Sequence, residues 1–403
     1  MRKLLLLTSC VVLATGALGR AEDGGEKKEE TKAKWYDKLS FGGDFRLRYE
    51  GFNWSGHFDD GRRDRFRYRL RFGFEAQVLD RVLLVFQLRS GNPQNPISDN
   101  QSFDDGLNKT RISIVEAYAD WQATKAFSVI VGRFSPTKLW TAADFEWDDD
   151  VATEGAMQMF AWKPGGFVKG LDLNLYQYVL NESGDSVDSY MLGGQIVPTF
   201  ELGSTNDLAI GATFEAISQP RRVADLYFKD VLTIDSGYVT NFVNPNSGEM
   251  ISDFRIGSLS LEWKNSSFKR WPIKVSVFLF KNFGAGDDLG AILPVSNDDP
   301  VLALGRGTDN DTAWFGRIQV GDYKKPGQVA IRVSRYDSQP DAIFFAYAQS
   351  DSRRASNVNG YRTDLRIGMP KSGFVNVTWY RTNWTVGDDT TMDRWQLDYI
   401  FEF

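Results

Sequence analysis

Arg65-Phe66-Arg67-Tyr68-Arg69-Leu70-Arg71-Phe72-Gly73-Phe74-Glu75-Ala76-Gln77-Val78 places an apolar or aromatic side chain at every even position and Arg, Gly, Glu or Gln at every odd one. A β-strand turns successive side chains to opposite faces, so this stretch reads as one strand with an apolar face and a strongly charged one. It does not suit a soluble sandwich. There the apolar face meets a second sheet and seldom holds so many large aromatics, while the polar face meets bulk water rather than a stack of like charges. The last segment repeats the pattern, with Trp395, Leu397, Tyr399, Phe401 and Phe403 alternating against Arg394, Gln396, Asp398 and Glu402.

Between these two segments period-two alternation predicts strands at 39–50, 65–78, 81–90, 112–122, 126–133, 155–162, 170–180 and 189–197, then 206–217, 254–263, 273–281, 312–320, 328–336, 360–369, 374–382 and 393–403. The connections alternate too. Those at 79–81, 123–125, 323–327 and 370–373 are tight, whereas 92–109, 134–154, 218–253, 281–311 and 337–359 are long and rich in Gly, Asn and Asp. The two sets differ in charge: Lys163, Lys169, Lys264, Lys269, Arg270, Lys324, Lys325 and Lys371 fall in short turns, and Asp148 to Asp150, Asp287, Asp288, Asp298, Asp299, Asp388 and Asp389 in long loops. Short turns on one side and long loops on the other are the layout of outer-membrane barrels. After the first twenty residues no apolar run approaches the ~18 to 20 needed for a membrane helix. In lipid only helices and closed barrels satisfy every backbone donor and acceptor. The expected fold is therefore all-β, a closed antiparallel transmembrane β-barrel of sixteen strands over residues 39–403. An even strand number puts both of its ends on the periplasmic side.

The chain has 403 residues, one Cys (Cys10), one His (His57) and a formal net charge of -6. Disulfide frameworks, thiolate catalysis and multi-histidine zinc sites are excluded together, and no cofactor or metal is expected. Met1 to Ala21 has Arg2 and Lys3, an apolar stretch from Leu4 to Leu18 and small residues at Ala17, Gly19 and Ala21, the order of a secretory signal peptide. Leu7-Thr8-Ser9-Cys10 imitates a lipidation box only loosely, because the apolar run continues past it. Residues 22–38 form a charged flexible leader on the periplasmic side. Three other motifs are discounted. Arg65 to Phe74 interleaves bases with aromatics, but a secreted, net-acidic chain with its arginines on one strand face is a poor nucleic-acid binder. Gly284 to Gly290 misses the dinucleotide-binding spacing, and no Asp cluster has the order of a Ca2+ loop.

Gly43-Asp44-Phe45-Arg46-Leu47-Arg48-Tyr49-Glu50, the strand ending Arg69-Leu70-Arg71-Phe72-Gly73, and Glu116-Ala117-Tyr118 followed by Gly132-Arg133 resemble the Putative porin family of Gram-negative bacteria. Glu146-Trp147-Asp148-Asp149-Asp150 before Glu154-Gly155 is similar to a loop of that family. The resemblance is specific over about residues 38–160 and architectural beyond. It implies an outer-membrane diffusion channel for small hydrophilic solutes and ions, and leaves the solute open. Its partners are then outer-membrane lipid and the barrel assembly machinery, which reads the terminal strand and its last residue, Phe403. Whether the chain is a homotrimer or a monomer is not legible.

With the large apolar faces turned to lipid, the inward basic residues are Arg46, Arg48, Arg65, Arg67, Arg69, Arg71 and Arg89 on the first three strands and Arg362, Arg366 and Arg394 on the fourteenth and sixteenth. Closure joins them into one wall, interrupted by Asp44, Glu50, Glu75, Asp364, Asp398 and Glu402. Expected inward acids elsewhere are Glu116, Asp120, Asp172, Glu215 and Glu262. Either the arginines pair with interspersed carboxylates, or they set up a transverse field across a narrow lumen. The connection 134–154 is the third external loop. Folded inward, its Asp144, Glu146, Asp148, Asp149 and Asp150 would face the arginines and constrict the pore. Two alternatives stay open: an export or specific channel for an anionic solute or polysaccharide, and a barrel hydrolase built on Trp54-Ser55-Gly56-His57-Phe58-Asp59-Asp60, although proximity in a loop is not a catalytic relay.

Overall fold

The computed structural model describes residues 35–55, 61–103, 106, 109–136, 139, 145–184, 187–223, 240–244, 250–286, 289–292, 303–306, 310–370, 373–387 and 390–403. The signal-peptide and leader expectations for 1–34 lie outside them, as do His57, Asp59, Asp60, Asp144, Asp287, Asp288, Asp298, Asp299, Lys371, Asp388 and Asp389. Residues 1–38 form a separate unit, of which Trp35–Lys38 is a 3-10 turn. The second unit is Leu39–Phe403.

Sixteen antiparallel strands close the second unit into a barrel. They are β1 (Leu39–Ser55), β2 (Gly61–Leu79), β3 (Val82–Ser90), β4 (Ile112–Trp121), β5 (Phe127–Phe134), β6 (Thr153–Trp162), β7 (Val168–Asn181) and β8 (Ser189–Glu201). The circuit continues with β9 (Asn206–Ile217), β10 (Phe254–Asn265), β11 (Ile273–Asn282), β12 (Thr312–Gly321), β13 (Val329–Ser338), β14 (Val358–Met369), β15 (Gly373–Trp384) and β16 (Thr391–Glu402). Each pairs with its sequence neighbour, and β16 returns to β1 from Asp44↔Glu402 to Ser55↔Thr391. Among the described strands the circuit leaves no unpaired edge. Gly43 and Phe403 exchange both backbone hydrogen bonds at 2.9 and 3.1 Å, carrying the seam to the last residue. Gln101–Ser102 adds a short rung beside β2, and Leu289–Ile292 pairs with Ala303–Arg306 outside the barrel sheet.

All sixteen predicted strands are present. The hairpin β1–β2 is longer than predicted, reaching Ser55 and restarting at Gly61. Gly51 and Asn53 interrupt the apolar face there, but the backbone ladder continues through them. The faces of β2 are as the alternation requires. Phe66 and Phe72 are exposed on the outer side, while Arg67 and Arg69 are buried on the inner one.

The inner face is not polar throughout. Ile130, Met157, Tyr176, Tyr178, Met191, Phe254, Phe280, Phe315 and Tyr336 point inward from β5 to β13 and are buried. They are covered by the described parts of two connections, 145–152 and 339–357, which enter the barrel. Phe145 packs against Phe315, Tyr336 and Phe280 at centroid distances of 5.3, 5.6 and 5.8 Å. Trp147 stacks on Tyr347 at 4.0 Å, and the run Ala342 to Ala348 is buried along its whole length. Glycine makes room for this filling: a Cβ on Gly193 would stand 2.2 Å from the Tyr176 ring. Trp147→Ala should lower unfolding stability in urea by ~3 to 5 kcal/mol as a buried aromatic lost from a packed core. On the outer face Leu70→Arg should cost ~2 to 4 kcal/mol near the bilayer midplane, read from the urea midpoint of the refolded barrel.

Candidate functional site: the charged lumen

Inward positions on β1, β2, β3 and β16 are successive even or odd residues, so their arginines stack in rows, and register brings the rows together. Arg46↔Arg69 and Arg48↔Arg67 are directly opposed across the β1–β2 ladder. Like charges so placed repel, and the lumen resolves this with carboxylates. Glu50, fully buried, accepts from Arg65, Arg394 and Gln396, the last at 2.9 Å, with Arg67 at 3.7 Å and Arg48 at 3.8 Å. Arg48 reaches Asp398 at 2.6 Å, Arg69 reaches Asp44 at 2.6 Å, and Arg89 reaches Glu116 at 2.9 Å.

The other carboxylates come from the entering loops. Asp99 sits 3.1 Å from both Arg71 and Arg89. Asp150 pairs with Arg71, lies 3.4 Å from Arg69, and accepts the Asp99 N–H at 2.9 Å. Asp351, in the 3-10 turn Ser350–Ala355, accepts from Arg394 at 2.6 Å and lies 3.4 Å from Arg48. Burial opposes ionisation of Asp150 and Asp351, yet the arginines around each hold its carboxyl below the usual range. Asp99, with burial and the Asp150 charge against it, is pushed up to about 7. Burial and Asp150 likewise push Asp148 well up.

The two entering loops are joined edge to edge. The Asp148 N–H donates to the Tyr347 carbonyl at 2.8 Å, the Gln349 N–H to the Phe145 carbonyl at 3.3 Å, and the Ser350 N–H to the Asp148 carboxylate at 2.7 Å. A third connection is bound to the second of them. Asp341 accepts from the Phe242 N–H at 2.9 Å and the Ser252 hydroxyl at 2.7 Å, while Asn241 donates to the Ile343 carbonyl at 2.9 Å and accepts from the Phe345 N–H at 3.0 Å. Burial pushes Asp341 up to about 7.

What stays open beside the loops is a cavity of about 650 Å3, bordered by Arg46, Arg48, Arg69, Arg71, Arg89, Glu116, Asp149, Glu262, Arg317, Arg332, Arg362 and Arg366 among others. Several sequence expectations need correction. Glu215 points inward but is sealed beneath the loops, accepting from Tyr176 at 2.6 Å and Tyr347 at 3.3 Å, so it anchors the filling and meets no solute path. Asp120 and Asp172 do not border the cavity, and neither do Arg65, Arg67 and Arg394, which lie further toward the long loops. Glu146 is buried; of the Asp148 to Asp150 run only Asp149 is exposed. Arg317, Arg332, Asp99, Asp351 and the segment 342–348 were not anticipated. For that segment a signal existed: seven apolar or aromatic residues in a loop have nothing to face outside a barrel. Among the described residues no cluster of three or more His, Cys, Asp or Glu could hold a metal ion.

Residues 57–218 match the family described as Putative porin. The chain folds as a closed barrel like those of solved porins. Among solved structures, Salmonella typhi OmpF in complex with daunomycin aligns over 91% of this chain and 97% of its own, with TM-score 0.51 and 13% identity. The high-pH structure of Pseudomonas putida OprB aligns over 91% and 95%, with TM-score 0.54 and 10% identity. At such identities the likeness is one of fold. No curated protein matches the chain.

Glu50→Gln should destabilise the barrel by ~3 to 5 kcal/mol in urea, because it leaves several buried guanidiniums without their shared anion. Asp341 predicts a pH dependence. Unfolded, it releases its proton near pH 4, and folded near 7, so its contribution is full below about pH 4, falls through the interval and is lost above 7. The heat-unfolding midpoint should drop between pH 5 and 7.5, and drop less in Asp341→Asn.

Proposed function

We propose that the protein is an outer-membrane porin through which small hydrophilic solutes and ions diffuse passively, with no chemical step. The observation that carries this is the water-accessible cavity of about 650 Å3 inside a closed barrel, bordered almost wholly by charged and polar side chains. The family match and the fold point to a channel rather than an enzyme. A porin function implies export by the segment 1–21, a leader and short turns on the periplasmic side, and outer-membrane lipid around the outward Phe, Leu, Val and Trp side chains. It also implies delivery through the barrel assembly machinery by way of Phe403, and a monomer or homotrimer as the working unit.

Within that function the stretch 145–152 is the constriction. Phe145 and Trp147 root it in the apolar half of the lumen, and Asp150 ties its far end to Arg69 and Arg71. Asp149 is left facing the open path. Planar-bilayer recording in a KCl gradient tests both levels. Purified protein should form ohmic channels, and Asp149→Asn should shift the reversal potential toward anions, with the shift shrinking at 1 M salt, where the screening length falls to about 3 Å. Absence of channels overturns the porin function. An unchanged reversal potential in the variant overturns the constriction alone. Removing Phe403 should lower the heat-modifiable, folded fraction in outer membranes without changing export, as seen by comparing folded with total barrel on unboiled gels.

A further inference from the structure

The inner face of β1 changes character along its length. Asp44, Arg46, Arg48 and Glu50 are followed by Phe52 and Trp54 at the long-loop end of the strand. Both rings lie on the inner face, since Phe52 is opposed by inward Arg394 on β16 and Trp54 by buried Met392. Outward aromatics at the two rims of a membrane barrel are ordinary anchors, and an inward tryptophan is not one of them.

The two rings complete a stack. Arg394 lies 5.8 Å from the Tyr380 ring and 4.9 Å from the Phe52 ring, and Arg65 approaches Phe52 at 5.2 Å. Phe52 and Trp54 are parallel within 1°, with centroids 5.2 Å apart. The lower layers are fixed: Tyr380 and Phe52 are buried, and Arg394 is held by Glu50 at 2.9 Å and Asp351 at 2.6 Å. The last layer is different. Trp54 is half-exposed, so the stack ends in an indole that solvent reaches.

Across the β1–β2 ladder Gly61 faces Trp54 and brings no side chain against it, while Arg63 faces Phe52. The neighbouring arginines are paired, Arg62 with Asp64 and Arg65 with Glu50. Arg63 is exposed and has no ion pair among the described residues. A ring with room for a partner and an available guanidinium therefore stand on one face of one hairpin. Aromatic rings favour an offset parallel partner, and a guanidinium fork matches a carboxylate with two parallel N–H···O bonds.

We propose that Trp54 and Arg63 form an entry subsite for a small aromatic carboxylate, whose ring stacks on the indole and whose carboxylate meets the guanidinium. The subsite rests on the porin function and deepens it by naming a solute class. Titration calorimetry of the full-length protein folded in detergent tests it with three probes: benzoate, cyclohexanecarboxylate, which keeps the charge without the aromatic ring, and benzamide, which keeps the ring without the charge. Benzoate should bind saturably and at least tenfold more tightly than either of the others. Trp54→Ala should weaken benzoate at least tenfold and remove its advantage over cyclohexanecarboxylate; if that variant does not fold, Trp54→Leu should do the same. Arg63→Gln should weaken benzoate at least fivefold and leave benzamide unchanged. Trp395→Leu, on the outer face, should change nothing. No saturable binding of benzoate, equal binding of benzoate and cyclohexanecarboxylate, or variants that bind as the parent does would each overturn the subsite. Single-channel recording of the same protein separates the two levels: channels without benzoate binding overturn the subsite alone, and binding without channels overturns the porin function and with it the role in entry.

Discussion

Hydrocarbon offers no hydrogen bonds, so the backbone of a chain that crosses it must satisfy itself completely. Here the seam between β1 and β16 meets that requirement, and everything else in the molecule is arranged on the two faces that closure creates. The outer face is largely apolar. The inner face is free to differ from strand to strand, and it does: charged from β14 round to β3, apolar over much of β5 to β13.

That division explains why the loops enter. Arginines opposed across the β1–β2 ladder repel one another in a narrow lumen unless anions stand between them, and the wall itself supplies only part of those anions. Asp99, Asp150 and Asp351 bring the rest from three separate connections. The apolar half has the converse need. Its Tyr, Phe and Met side chains would stand in water in an empty barrel, and Phe145, Trp147 and the run 342–348 cover them. One loop can serve both halves because it crosses between them, with Trp147 at one end and Asp150 at the other.

The strands were legible because an apolar outer face and a charged inner one enforce period two, most plainly in β2 and β16. The filling was less so. In β11 Phe278 and Phe280 face inward while Val277 and Leu279 face outward, so both faces are apolar and the alternation that marks an inner residue disappears. The same loss hid Arg317, which shares its face with Phe315, and Arg332, which shares its face with Ala330. Glu215 was legible as inward but not as sealed, since its cover comes from Tyr347 far along the chain. Asp351 carried no local sign either, because its partners Arg48 and Arg394 lie at opposite ends of the sequence.

The edge-to-edge pairing of 145–148 with 347–350 also has a thermodynamic side. Strand surfaces facing lipid gain little from leaving it, so an empty barrel unfolds with modest exposure of apolar area to water. This lumen holds what amounts to a small water-soluble core, with Trp147, Phe344, Phe345 and Tyr347 packed away from solvent by the ordinary hydrophobic effect. Losing it exposes that area to water, which raises the heat capacity. The interior and the wall therefore respond differently to temperature: the wall is held by its backbone ladder, and the filling by a core that weakens in the cold.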